Sequence, residues 1–179
     1  LQNPPSGFVG KALYRKQGDS SWIEVAEDNV AALPDGFGKV HHITLKGLTP
    51  ETRYEYKVVG ANGQQSAQYH FDTAATSMDY SRFLLIGDMQ DEQGKQRWQD
   101  IADAIVAGHM SEFDFIITVG DMVKDDEAKN GDRFYWWKVF FDKGQNLFAY
   151  KPMLPTMGNH DTPANPNAVN KEVYWSNAE

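Results

Sequence analysis

At 179 residues, with 41% hydrophobic and 13% aromatic content, the chain has room for one large domain or two small ones and enough apolar matter to fold without staples. A formal charge of −8 argues against a nucleic-acid partner, which needs a basic stripe, and no run approaches the roughly 20 apolar residues of a membrane helix. Zero cysteines exclude disulfides, thiolate metal sites and cysteine nucleophiles together.

The chain begins at Leu1 with no basic-then-apolar leader. That is the pattern of a processed or trimmed product, and a secreted or periplasmic location is the expectation that fits it. From there to about residue 75 the sequence reads as β-structure. Short aromatic or β-branched runs with partial alternation predict strands over 22–25, 40–45, 54–59 and 68–71. Asn62-Gly63, between the last two, predicts a two-residue hairpin turn with positive φ at both positions. Leu48-Thr49-Pro50-Glu51-Thr52-Arg53-Tyr54 has the form of a tyrosine corner, in which the Tyr hydroxyl bonds back to upstream backbone. On these residues, 1–75 resembles an all-β Greek-key sandwich of the fibronectin type III-like kind.

Asp72-Thr73-Ala74-Ala75-Thr76-Ser77-Met78-Asp79 is small and polar, the composition of a linker. Beyond it the period changes. Trp98, Ile101, Ala102, Ile105 and Val106 form a helical stripe that Gly108 closes. A second, aromatic-rich helix carries Phe134, Trp137 and Phe141, with Asp132 as its cap and Gly144 as its stop. These helices alternate with the apolar runs 82–86, 115–119 and 153–157, so residues 80–179 read as α/β. His41 and His42, alternating across a predicted strand, and His109, at a helix end, are read as structural.

Each apolar run ends in glycine followed by an oxygen donor: Gly87-Asp88, Gly120-Asp121 and Gly158-Asn159-His160-Asp161. A single Gly-Asp pair is ordinary turn chemistry. Three in succession, at the carboxyl ends of parallel strands, place oxygen ligands where one cation site can share them. The intervals of 33 residues (121 − 88) and 38 residues (159 − 121) each leave room for a crossover helix.

Gly87-Asp88-Met89-Gln90, Gly120-Asp121-Met122-Val123 and Gly158-Asn159-His160-Asp161 resemble the first three signature blocks of the calcineurin-like metallophosphoesterases. With a sandwich in front, the chain is most similar to the purple acid phosphatase branch. The resemblance implies a centre of two divalent or mixed-valence metal ions (iron, manganese or zinc). Asp121 would bridge them, with Asp88, Gln90 and Asn159 as further ligands. His160 would face the substrate phosphate, and Asp161 would orient its imidazole. The implied reaction is attack of a metal-bound hydroxide on a small phosphate ester, a phosphomonoester before a phosphodiester.

Three departures stand against that pattern. Gln90 occupies a position where many relatives have His, and an amide oxygen is a harder, weaker ligand than imidazole. Lys124 stands where the purple branch has a Tyr ligand, so no iron–tyrosinate colour is expected. No His follows Asp161 in this chain, although the family completes its site with later histidines. The expectation is therefore the N-terminal part of a longer enzyme, binding metal weakly and turning over nothing alone. A non-catalytic binding module with a degenerate hydrolase core is the alternative from a different class. The sequence leaves the oligomeric state open.

Overall fold

The computed structural model describes residues 8–32, 39–77, 79–90, 96–123 and 133–161, the last group without the side chains of 133–136. These divide into two units, one up to residue 77 and one from residue 79. Asp132, Lys124, the acidic run 125–127, the Phe134 side chain and everything after Asp161 lie outside the described residues.

The first unit is all β. Strands β1 (Lys11–Lys16), β2 (Ile23–Ala26), β5 (Arg53–Val59) and β6 (Tyr69–Asp72) form an antiparallel sheet in the order β2-β1-β5-β6. Strands β3 (Asn29–Ala32) and β4 (Lys39–His42) form a second antiparallel pair. The return of β5 to the side of β1, after the chain has built β3 and β4, is Greek-key connectivity rather than a meander. Ala12 and Tyr14 alternate into the core while Arg15 pairs outward with Glu55, its directly opposed partner on β5, at 2.7 Å.

β1 and β3 are strands that the sequence reading omits. β1 carries basic residues at three of its six positions, and β3 reads Asn-Val-Ala-Ala, so each holds only three apolar residues in a row, with alanine among them. Their strand state comes from pairing, not local propensity.

The tyrosine corner forms as predicted. Tyr54 is buried, stacked on Phe71 with centroids 5.7 Å apart, and its hydroxyl accepts a hydrogen bond from the Thr49 N–H at 3.0 Å. Thr73 completes the corner by accepting from the Thr52 N–H at 2.9 Å and donating to the Thr49 carbonyl at 2.7 Å. The hairpin at Asn62-Gly63 differs from expectation. Gly63 N–H reaches the Gly60 carbonyl at 2.9 Å and Gly60 N–H reaches Gln64 at 2.7 Å, a three-residue loop in which Gly63 alone is left-handed (φ 77°). Asn62 instead uses its side-chain carbonyl to cap the Gln64 N–H at 3.0 Å, which removes the need for positive φ.

The second unit is α/β. Strands β7 (Phe83–Ile86), β8 (Phe115–Thr118) and β9 (Met153–Leu154) form a parallel sheet in that order. Helix α1 (Arg97–Gly108) lies between β7 and β8 in sequence, and α2 (Arg133–Phe148) between β8 and β9. Ile116 and Thr118 are fully buried on one face of the sheet. Phe83 and Leu85 share the other face through their register with Phe115 and Ile117, and both are exposed. Continuous apolar strands predict burial on both faces; among the described residues only one is covered.

Of the five stripe positions on α1, Trp98, Ala102 and Ile105 are buried and Val106 is half-buried, whereas Ile101 faces outward. On α2 the buried line is Trp137, Phe140 and Leu147, with Phe141 only half-buried. The helices lock through the Trp98 indole, which stacks on Phe140 at 5.6 Å and donates its N–H to the Phe140 carbonyl at 3.0 Å. Gly144 does not stop α2, which continues one turn to Phe148. A Cβ there would lie 2.8 Å from Trp98 Cζ2 and closer still to the Phe148 ring, so Gly144 is the gap that admits the indole.

Candidate active site

The carboxyl ends of β7, β8 and β9 carry the three glycine corners, and the backbone knits them together. Val119 N–H bonds the Ile86 carbonyl at 2.9 Å, continuing the parallel ladder past the strand ends. Asp88 N–H then bonds the Gly120 carbonyl, and Gln90 N–H the Asp121 carbonyl, each at 3.2 Å. From the β9 side, Thr156 N–H donates to Thr118 Oγ1 at 2.9 Å and His160 N–H donates to Asp121 Oδ1 at 3.0 Å. The first and third corners both bond directly to Asp121.

The glycines are needed for this approach. A Cβ on Gly120 would sit 2.6 Å from Gly158 Cα, and one on Gly158 would overlap the Asp121 carboxylate and amide. A Cβ on Gly87 would meet Val119 Cγ2 at 2.5 Å. Gly120 is also left-handed (φ 95°), as are the two strand-end aspartates, Asp88 at φ 53° and Asp121 at φ 55°. Aspartate tolerates that conformation better than most side chains, but two successive strands ending this way is an unusual concentration of left-handed backbone.

Asp88 and Asn159 are exposed and Gln90, Asp121 and His160 half-buried, while Met89, Met122 and Val123, their neighbours in the chain, are buried. Asp161 is 2% exposed. Its Oδ1 accepts from the N–H groups of Met122 (2.9 Å) and Val123 (3.0 Å), and its Oδ2 from the Gly158 N–H (2.8 Å). Gln90 Oε1 is buried and has no hydrogen-bond partner, alone in this among the described side chains. Leaving such an acceptor unpaired costs about 1–3 kcal/mol.

Six residues singled out by sequence thus fall on one edge of one sheet. Backbone and carboxylate bonds join Asp88, Gln90, Asp121, His160 and Asp161; Asn159 shares the turn of His160 and Asp161. Among the described residues no three His, Asp or Glu side chains come together as a ready-made cation cage. The donor set here is two carboxylates, Asp88 and Asp121, and two amide carbonyls, Gln90 and Asn159. It suits a cation that accepts oxygen ligands, and the unpartnered Gln90 oxygen is the atom such an ion would satisfy.

Sequence reasoning missed the Thr118–Thr156 pair and the close approach of Gly120 to Gly158. The glycines themselves were the available signal, since a glycine before each donor allows either a turn or a backbone contact.

Comparison with known families gives two matches. Residues 3–73 match the purple acid phosphatase N-terminal domain, and residues 81–178 match the calcineurin-like phosphoesterase family.

Proposed function

The chain belongs to the calcineurin-like phosphoesterase family, whose match spans more than half of it, and from that membership we propose a hydrolase of phosphomonoesters with two cations at the three glycine corners. The observation that carries this reading is the buried, unpartnered side-chain oxygen of Gln90, a residue whose backbone N–H bonds the Asp121 carbonyl where the corners meet. Asp121, Asp88, Gln90 and Asn159 would hold the cations. The chemistry supplied by bound cations is activation of water and neutralisation of phosphoryl charge.

The chain's own residues do the positioning. Asp121 is fixed at one carboxylate oxygen by the His160 N–H, which leaves its other oxygen for a ligand. The same bond places His160 directly beside Asp121 in the chain's third corner, where its ring can meet a phosphate or hold the leaving group's proton. Because two of the four donors are amides, metal binding by this chain is expected to be weak.

The test is titration with Mn²⁺, read by loss of the free-ion electron paramagnetic resonance signal, on the chain and on Gln90→Leu. Leucine removes the carbonyl while keeping most of the volume, so the variant should gain about 1 kcal/mol of stability and lose Mn²⁺ affinity roughly tenfold. A Leu variant with unchanged Mn²⁺ affinity would sink the proposal. Substrate class is separated by comparing an aryl phosphate with its bis-aryl ester on a longer form of the protein that carries further histidines, since this chain alone is expected to turn over nothing, and faster turnover of the diester would overturn the monoester preference. The second reading, a non-catalytic binding module, is supported by Gln90 standing where an imidazole would be the stronger ligand; it predicts no turnover of either ester by that longer form.

A further inference from the structure

Asp161 is the most buried carboxylate among the described residues, and its three hydrogen bonds all run to backbone N–H groups. Two of those groups, on Met122 and Val123, immediately follow Asp121; the third, on Gly158, opens the corner to which Asp161 itself belongs. The bond from His160 N–H to Asp121 Oδ1 runs between the same two corners in the opposite sense. Each corner therefore contributes one carboxylate that ties down the other's backbone. Between them lie Gly120 and Gly158, too close for any side chain.

From this reciprocal stitch we propose that Asp161 is a positioning residue for Asp121, acting through the Met122 and Val123 amides to set the aim of that carboxylate. Asp121 sits in a left-handed conformation (φ 55°) that its own local sequence does not demand, because Met122 and Val123 supply no turn chemistry. A conformation of that kind persists when surrounding bonds over-determine it. Two N–H groups on one carboxylate oxygen supply that constraint just after Asp121, and Gly158 N–H on the other oxygen fixes the carboxylate in turn. Two oxygens that accept three hydrogen bonds in this geometry are available to an aspartate and to no neutral isostere, since an asparagine amide nitrogen would face at least one of the donors.

This inference rests on the reading of Asp121 as a cation ligand, and the experiment separates the two. Asp161→Asn in the 179-residue chain is compared with Asp121→Asn by amide hydrogen exchange and by Mn²⁺ titration. In Asp161→Asn, exchange at Gly158 or at the Met122–Val123 pair should accelerate at least roughly tenfold, and Mn²⁺ affinity should fall roughly tenfold. If Asp121→Asn binds Mn²⁺ like the unsubstituted chain, the cation reading of Asp121 fails. If Asp121→Asn loses affinity while Asp161→Asn keeps it, the cation reading stands and the positioning role is overturned. Asp161→Glu keeps the charge but displaces the acceptors by one methylene, so full recovery of affinity in that variant also overturns the role. Should Asp161→Asn fail to fold, the unsubstituted chain still decides: Met122, Val123 and Gly158 amides exchanging as fast as unprotected backbone would refute the stitch.

Discussion

The two units use the same backbone device to opposite ends. In the β unit, Glu51 is left-handed (φ 49°) in the turn of the tyrosine corner, and among the described residues of that unit no buried side-chain nitrogen or oxygen lacks a partner. Its N–H meets the Ala74 carbonyl, Tyr54 and Thr73 close the corner, and Arg53 grips Asp72 through two bonds of 2.7 and 2.8 Å. In the α/β unit, Asp88 and Asp121 are left-handed too, but the corners they make include a buried oxygen that nothing answers. Left-handed backbone ends a loop in one unit and ends two strands in aspartate in the other. The difference shows where to look for chemistry: strain alone marks a turn, while strain beside an unsatisfied buried atom marks a candidate site.

Gly158→Ala should break the α/β side of that comparison outright. Its methyl group would overlap both the carboxylate and the amide of Asp121, and the backbone on either side is tied by the Asp161 bonds. Overpacking into fixed backbone costs about 3 kcal/mol or more. The expected result is a cooperative loss of the second unit's structure, or a displaced Asp121 and no measurable Mn²⁺ binding. Amide protection around Tyr54 should persist, because no bond of that corner involves the glycine. A variant with native stability and native Mn²⁺ affinity would show that the close approach of the two corners is incidental.

A smaller effect is expected at Gly144→Ala, which sharpens the comparison within the second unit. Alanine gains about 1 kcal/mol of helix propensity over glycine. Against that stands a methyl group placed 2.8 Å from the Trp98 ring, an overpacking penalty of about 1–3 kcal/mol. The net expectation is destabilisation of about 1 kcal/mol, read as a lower thermal midpoint and a changed Trp98 fluorescence. Mn²⁺ affinity should hold, since Gly144 packs the helices and takes no part in the corners. Net stabilisation would mean that the indole shifts aside at little cost, and that the Trp98–Phe140 stack is loose.

Which parts of this were legible in the sequence follows from how local each cause is. Short apolar runs ending in Gly-Asp or Gly-Asn name the strand ends, because strand period and turn chemistry are local, and the match over 81–178 agrees with the family those blocks suggested. The Thr49–Tyr54 bond was legible for the same reason, spanning only five residues. Gly144 was misread because a helix-stopping glycine and a packing glycine look alike until the facing side chain, Trp98, is known. β1 escaped because its apolar residues, Ala12, Leu13 and Tyr14, are flanked by Lys11, Arg15 and Lys16, and the outward pairing of Lys11 with Glu24 and of Arg15 with Glu55 needs β2 and β5 in place. The Asp161 stitch was hidden for a related reason: its donors lie 38 and 39 residues upstream, across a strand crossover that sequence spacing allows but does not orient.

Tyr54→Phe is the mildest change and tests the β side. The ring would keep its stack on Phe71 and its contact with Tyr14, so apolar burial is unaltered. What is lost is the acceptor for the Thr49 N–H, a part-buried bond whose removal costs about 1 kcal/mol. The Thr73 hydroxyl bonds the same segment at the Thr49 carbonyl, so the corner should loosen at the Thr49 N–H without opening. Amide exchange at Thr49 should therefore quicken more than at Thr52, which keeps its own bond to Thr73. Equal acceleration at both positions would mean that the corner moves as one body and that the hydroxyl, not Thr73, holds it. Mn²⁺ affinity should be untouched, because the Tyr54 hydrogen bond and ring contacts all stay within the first unit. A drop in that affinity would couple a fully answered corner to the unanswered one, and the division between the two would no longer hold.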